Sequence, residues 1–254
     1  MISMTTCWRM MNNFFIPDWP APPHIKSIQT QRAGGKSGGV YKSFNLATHV
    51  NDEINTVHLN RDLLNQYLPS APYWLHQTHS VDVLKLPSPT LNGDASYTID
   101  KNTVCVVQTA DCLPLLVTNI DGTIVAAIHA GWRGLLNGVI ENTIDKMNIS
   151  SNELLVWLGP AISQKYFEVG FDVKNSFCEK HTEAEKAFHL ISEQKWLADI
   201  YALAKLRLHV CGVNQIYGGS VSDDYCTFAN EVDYFSYRRD GVTGRMASLI
   251  WIDS

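Results

Sequence analysis

The chain contains no run of lysine or arginine, and 20 basic residues against 25 acidic ones leave a formal net charge of -5. Without a basic stripe there is no electrostatic footprint for nucleic acid, and no patch of the kind that holds a protein on a membrane surface. Long apolar runs are missing too. The longest candidates, such as Ile124–Ile128, have the length of strands, far short of the roughly 18 residues of a membrane span. Met1–Phe15 carries scattered polar residues and Arg9 but no continuous apolar core of a signal peptide, so a cytoplasmic location is expected. The six cysteines, Cys7, Cys105, Cys112, Cys178, Cys211 and Cys226, include no C-x-x-C pair, which excludes a zinc ribbon or a thioredoxin-type redox motif. In a reducing compartment they are expected as free thiols, most of them acting as small buried hydrophobes. The nine histidines include no H-x-H pair. The loop Gly34–Gly39 resembles a phosphate loop at Gly35-Lys36-Ser37, but that pattern needs glycine at position 30, where Thr30 stands. It reads instead as a mobile loop over or near a site.

What remains is an ordinary globular composition, 45% hydrophobic and 18% charged in 254 residues. No repeat, low-complexity linker or composition shift divides it, so residues 1–254 are expected to form a single domain. Pro17, Pro20, Pro22 and Pro23 punctuate an opening strand or loop segment. Helical spacing covers Asp52–Leu68, the stretch after Gly131 with an apolar face of Leu135, Leu136, Val139, Ile140, Ile144 and Met147, Phe171–His181, and Leu197–Val210. Strands are expected at Tyr73–Leu75, Val81–Leu86, Thr103–Val107, Leu115–Thr118, Thr123–Ile128, Leu154–Leu158, Ile216–Ser220 and Met246–Ile252, with Asp121-Gly122 as a hairpin-type turn. Pro114 disfavours a continuous central strand at the Gln108–Pro114 corner. Strands and helices mix without strict βαβ alternation, which gives an α/β chain of the α+β type, a mixed sheet layered with helices.

Three segments carry chemistry: Gln77-Thr78-His79, Thr109 to Pro114, and His129 to Gly134. Each sets a soft or imidazole ligand at the end of an apolar run. Cys112 and His129 would emerge at one sheet edge if their strands form a hairpin, and His79 would arrive from the preceding strand pair. Two histidines and a cysteine leave a fourth position open, the composition of a catalytic rather than a structural zinc site. Taken singly, His129 reads better as a strand-end core histidine and Cys112 as a buried thiol, readings that lose much of their advantage when the two are taken with the turn that follows. The Gly131-Trp132-Arg133-Gly134 turn beside them adds a guanidinium and a helix start suited to an anion; the competing reading is a surface ion pair of Arg133. Cys178, His181 and His189 fall on a polar helical stretch and read as solvated or structural. Arg238 and Arg239 read either as a binding feature or, with Asp233 and Asp240, as an ion-pair network.

Further residues extend the pattern: Phe44-Asn45-Leu46, Asn60-Arg61, Asp94-Ala95, Trp157 to Ile162, Phe167 to Gly170, and Phe235 to Met246. With the TADCLP and HAGWRG strings, they make the chain resemble the YfiH family, also called the multicopper polyphenol oxidase (laccase-like) or purine nucleoside phosphorylase family. The resemblance runs from Thr30-Gln31-Arg32 to Trp251. It implies a cytotoxic-necrotizing-factor/YfiH-like fold and a zinc bound by His79, Cys112 and His129. It also implies phosphate-dependent cleavage of adenosine, inosine, guanosine and methylthioadenosine, with adenosine deamination; some members are tied to editing of peptidoglycan precursors. Two departures stand out: Ser80 where glycine is common, and His76, an extra imidazole that competes for the place of first ligand.

Three chemistries compete for these residues. In a nucleoside enzyme, Cys112, His129 and Arg133 do the catalytic work, and Asn45, Asp111 and Arg133 contact a small-molecule nucleoside and phosphate, with neither nucleic acid nor membrane as partner. A copper oxidase is the second, because a His2Cys set also binds copper; the missing H-x-H pairs argue against a multicopper centre. The third is a metal-free thiol hydrolase with Cys112 as nucleophile and His129 as base, which leaves His79 idle.

Overall fold

The computed structural model describes residues 13–254; the expectations for Cys7 and for the first twelve residues of the N-terminal segment lie outside them. Apolar strands of five to seven residues, buried on both faces, dominate the centre. Strands β1 (Phe14–Phe15), β2 (Ile25–Thr30), β3 (Tyr73–Trp74), β6 (Cys105–Thr109) and β14 (Met246–Ile252) form a five-stranded sheet in the order β1-β2-β14-β6-β3. Strands β4 (Val83–Lys85), β5 (Ala95–Thr98), β7 (Leu113–Asn119), β8 (Val125–Ala130), β9 (Leu154–Leu158) and β13 (Gln215–Gly218) form a six-stranded sheet in the order β13-β9-β7-β8-β5-β4. Both mix parallel and antiparallel pairs. A smaller sheet, β10 (Glu168–Gly170), β12 (Lys195–Ala198) and β11 (Phe188–Ser192), stands beside them.

The alternation of side chains stacks these sheets into layers. Cys105, Val107 and Ile250 from one sheet meet Leu116, Ala127 and Trp157 from the other in an apolar seam. The opposite face of the five-stranded sheet, through Val106, Ala247 and Leu249, packs on Leu64 of helix α1 (Ile54–Asn65). The opposite face of the six-stranded sheet, through Leu115, Val117 and Ile128, packs on α3 (Val139–Met147), and the same apolar cluster extends through α5 (Ile200–Val210) to α4 (Phe171–Lys180), which lies against the small sheet. The outcome is an α/β/β/α stack, the mixed arrangement expected from the lack of strict βαβ order.

Several boundaries differ from the sequence expectation. The helix after Gly131 is broken into α2 (Trp132–Asn137) and α3, because Gly138 between them adopts φ 103°, a left-handed conformation open to glycine. Pro114 lies inside β7, a central strand, contrary to expectation. Its missing N–H falls one step beyond the Leu115–Leu158 pair, where β9 ends, and the Gly159 carbonyl there accepts the Tyr201 hydroxyl at 3.0 Å instead. His189 belongs to strand β11 rather than to a helix. The glycine-rich loop does not cover the site: Lys36 N–H donates to Asn60 Oδ1 at 2.7 Å and Ser37 Oγ to Asp52 at 2.7 Å, pinning the loop against α1.

Candidate metal centre

Two passages of chain cross from the five-stranded to the six-stranded sheet, one between β3 and β4 and one between β6 and β7. They cross side by side. Gln77 Nε2 donates to the Gln108 carbonyl at 2.8 Å, and Gln108 N–H donates back to Gln77 Oε1 at 2.8 Å. The first crossing carries His79 and the second Cys112. The hairpin of β7 and β8 pairs Leu113 with Ala130, which brings His129 beside Cys112. The ligand atoms of His79, Cys112 and His129 lie within 4.8 Å of one another, and Cys112 Sγ is 3.6 Å from His79 Nε2. His76 is not part of this group. Its backbone pairs with the Leu91–Asn92 segment, leaving His79 as the first ligand candidate.

A carboxylate missed in the sequence holds the group together. Asp94, fully buried, accepts the backbone N–H groups of Thr78, His79 and Ser80 at 3.1, 3.0 and 2.7 Å. The same carboxylate lies 2.7 Å from His129 Nδ1. It therefore fixes both the turn that presents His79 and the ring of His129, leaving His129 Nε2 for a ligand role, the carboxylate–histidine arrangement common behind metal ligands. Burial alone would raise its pKa, but the bonds from His129 and Ser80 hold it down to about 2. A signal existed in the Asp94-Ala95 pair, but 35 residues separate Asp94 from His129 and nothing local announces their contact.

The charges of Cys112 and His129 are coupled. Burial works against the Cys112 thiolate, yet the imidazoles of His129 and His79 pull the thiol down to about 6. Burial likewise opposes charging His129, but Cys112 and Asp94 lift it to about 9. A thiolate is what a soft cation requires. Backbone geometry is adapted to the same end. A Cβ on Gly131 would sit 2.5 Å from His79 Cδ2 and 3.1 Å from Cys112 Sγ, so the chain passes too close to the ligands for any side chain. His79 and Asp111 hold φ of 61° and 92°, a region that non-glycine residues rarely occupy and that recurs at functional sites.

These residues open on a cavity of about 500 Å³. Arg133, Arg238 and Arg245 supply cationic walls; Trp132, Ile162, Phe167 and Tyr237 supply apolar ones. The Arg133 guanidinium lies 4.3 Å from the Trp132 ring centroid rather than in a surface ion pair. Arg238 donates to the Glu168 carbonyl at 3.0 Å, while Arg239 turns away to pair with Asp240 at 2.8 Å. Arg239 thus takes the ion-pair role with Asp240, though Asp233 bonds to Asn230 instead, and Arg238 lines the cavity. Arg245 and Tyr237 fall in the Phe235–Met246 segment marked in the sequence, but were not assigned to the site: β14 pairs Met246 with Thr109 and so lays the preceding segment against the Asp111–Cys112 corner.

Two expected contacts with substrate are corrected or narrowed. Asn45 is fully buried and does not line the cavity; its Oδ1 accepts from Ala47 and Arg245 N–H, each at 3.0 Å, and its Nδ2 donates to Asp52 at 2.9 Å. It is a strut beneath Arg245. Asp111 does line the cavity, but its two oxygens already accept from Thr227 Oγ1 at 2.7 Å and Arg238 N–H at 2.6 Å.

The family described as multi-copper polyphenol oxidoreductase laccase matches residues 26–253. The chain belongs to this family. Among relatives of the laccase-like family, a purine nucleoside phosphorylase of Pseudomonas aeruginosa is 45% identical over 244 residues, covering 95% of this chain and 99% of that one. The purine nucleoside phosphorylase YfiH of Escherichia coli is 46% identical over 247 residues, covering 95% and 100%. The same fold occurs in a Neisseria meningitidis crystal structure at TM-score 0.90 and 48% identity, over 95% of this chain and all of that one. YlmD from Geobacillus stearothermophilus superposes at TM-score 0.84 and 26% identity, over 96% and 100%. The expected YfiH-type fold is therefore observed.

Proposed function

We propose that residues 1–254 act as one metal-dependent purine nucleoside phosphorylase, with zinc held by His79, Cys112 and His129. The observation that carries this reading is the meeting, in one cavity, of an open three-ligand centre with three arginines and an aromatic wall. The names of the relatives agree with it. Zinc suits the set better than copper: no methionine lines the cavity to serve as the axial ligand of a blue-copper site. Among the described residues there is also one such ligand group, where a multicopper oxidase needs several.

A bound zinc would supply positive charge that polarises a substrate oxygen or acidifies a water. The protein's own groups do the rest. Arg133 and its neighbours hold a phosphate in line with the sugar C1′ and offset its charge as the C1′–O bond forms and the bond to the purine breaks. Phe167 and Tyr237 offer flat faces, and Ile162 an aliphatic contact, to the base. Asp94 keeps His129 in one tautomer throughout. Adenosine, inosine, guanosine and methylthioadenosine are the proposed substrates, with adenosine deamination as a second activity of the same cavity and the cytoplasm as the place of action.

The test is product analysis after zinc-loaded protein meets adenosine with and without phosphate. Adenine plus ribose 1-phosphate only with phosphate, or inosine in either buffer, lost in Cys112→Ala, is the expected result. No turnover by folded, zinc-replete protein refutes the reading for adenosine. One observation favours a second reading: Cys112 Sγ lies within 4.8 Å of the His129 ring nitrogen, and Asp94 holds that ring at 2.7 Å, a cysteine–histidine–carboxylate set of the kind a thiol hydrolase uses. Amide or ester hydrolysis that survives removal of zinc would select it.

A further inference from the structure

A second cavity of about 300 Å³ shares two walls, His49 and Gln108, with the first. Its other lining residues with polar side-chain atoms are Thr48, Arg61, Tyr73, Trp74 and His76, and no carboxylate lines it. Arg61 is held rigidly: its guanidinium lies 4.0 Å from the Trp74 ring centroid and its Nε donates to the Leu46 carbonyl at 2.9 Å. Burial has pushed its pKa down to about 10, the mark of a cation partly stripped of water. Among the described residues no acidic group pairs with it. A desolvated guanidinium without a counter-charge is costly, and a bound anion removes that cost.

The partition between the cavities carries an independent sign. Gln108 is 5% exposed, and its Nε2 is buried without any hydrogen-bond partner. Buried donors are nearly always satisfied, so an orphan at a cavity wall points to a missing acceptor. His76, the imidazole that the metal group leaves out, stands exposed at the rim, its backbone anchored by the N–H bond to Leu91 O at 2.7 Å. His49 lines the same cavity, its pKa lowered by burial and then by the charges of Arg245, His76 and Arg61.

We propose that Arg61, His49, His76 and the Gln108 amide form an anion subsite for a phosphoryl dianion, adjoining the metal cavity. A planar fork, two imidazoles and an amide lining one cavity offer more donors than the two coplanar oxygens of a carboxylate can use, and match the three oxygens of a phosphoryl group better. The phosphoryl group is either inorganic phosphate or the phosphomonoester arm of a nucleotide whose nucleoside part occupies the first cavity. Only the second source rests on the nucleoside reading.

Calorimetric titration of the zinc-loaded full chain with inorganic phosphate, adenosine and adenosine 5′-monophosphate decides the matter. Arg61→Gln is expected to weaken phosphoryl binding about tenfold or more, and His76→Asn about threefold, with adenosine affinity unchanged. Loss of inorganic phosphate binding identifies the free anion. Loss only of the monophosphate's advantage over adenosine identifies the nucleotide arm. Wild-type affinity for both probes in folded variants overturns the subsite, as does phosphate binding that responds to Arg133→Gln alone. Should Arg61→Gln fail to fold, His76→Asn, whose side chain is exposed, decides in its place by the same two affinities. Adenosine that neither binds nor reacts, beside phosphate binding that depends on Arg61, would break the nucleoside reading and leave the subsite standing.

Discussion

One carboxylate, Asp94, serves four donors, three from the Thr78–Ser80 backbone and one from His129. Replacing it by asparagine removes one acceptor oxygen and turns an NH2 group against the same donors. Asp94→Asn is therefore expected to lower zinc affinity by about 10–100-fold while the fold persists, as read by competition with a chromogenic chelator. Unchanged affinity would show that packing alone orients the two histidines. The Cys112 thiol makes a separate prediction for the metal-free protein. Because the imidazoles hold it down to about 6 against the effect of burial, its alkylation by iodoacetamide should rise with pH through about 6. An ordinary thiol titrates at ~8.5. His129→Asn should move the profile upward, and zinc should protect the thiol. A profile centred at the ordinary value would contradict the ion pair.

Elements rather than single residues place these groups, and some of that placement was readable in advance. Strands β6, β8, β9 and β14 announce themselves as short apolar runs, and the Asp121-Gly122 turn forces β7 and β8 into the hairpin that joins Cys112 to His129. Sequence reasoning misjudged Pro114 because the rule about central strands counts a lost ladder bond without asking what replaces it. Here the replacement is Tyr201 on α5, whose hydroxyl donates to the Gly159 carbonyl and accepts from Ala161 N–H at 2.8 Å. Tyr201→Phe keeps the ring but orphans both backbone groups at the end of β9. A loss of about 1–3 kcal/mol in urea unfolding is expected. A neutral result would mean that the strand end relaxes or admits water. Asp94, Arg245 and Tyr237 stand in segments the sequence marked, but their places at the site were illegible for a different reason: pairings between strands far apart in the chain bring them there, and no local periodicity encodes those pairings.

At the scale of the whole molecule, the metal group sits where the two large sheets are stitched together. His79 lies on one of the crossings between them, Cys112 on a second, and His129 on a strand of the six-stranded sheet. An ion held by all three would tie these two crossings to β8 and resist separation of the layers. Binding to the folded state alone stabilises by about 2.7 kcal/mol at a free concentration one hundred times Kd. For a chain of this size each kcal/mol moves Tm by about 2–4 °C, so saturating zinc should raise Tm by about 5–10 °C. Cys112→Ala should abolish most of that rise, whereas Arg133→Gln, which leaves the three ligands in place, should retain it. This pair separates a metal that supports the architecture from one recruited only with substrate. If zinc leaves Tm unmoved until nucleoside and phosphate are added, the centre is completed by its ligands in the cavity, and the sheets hold together without it.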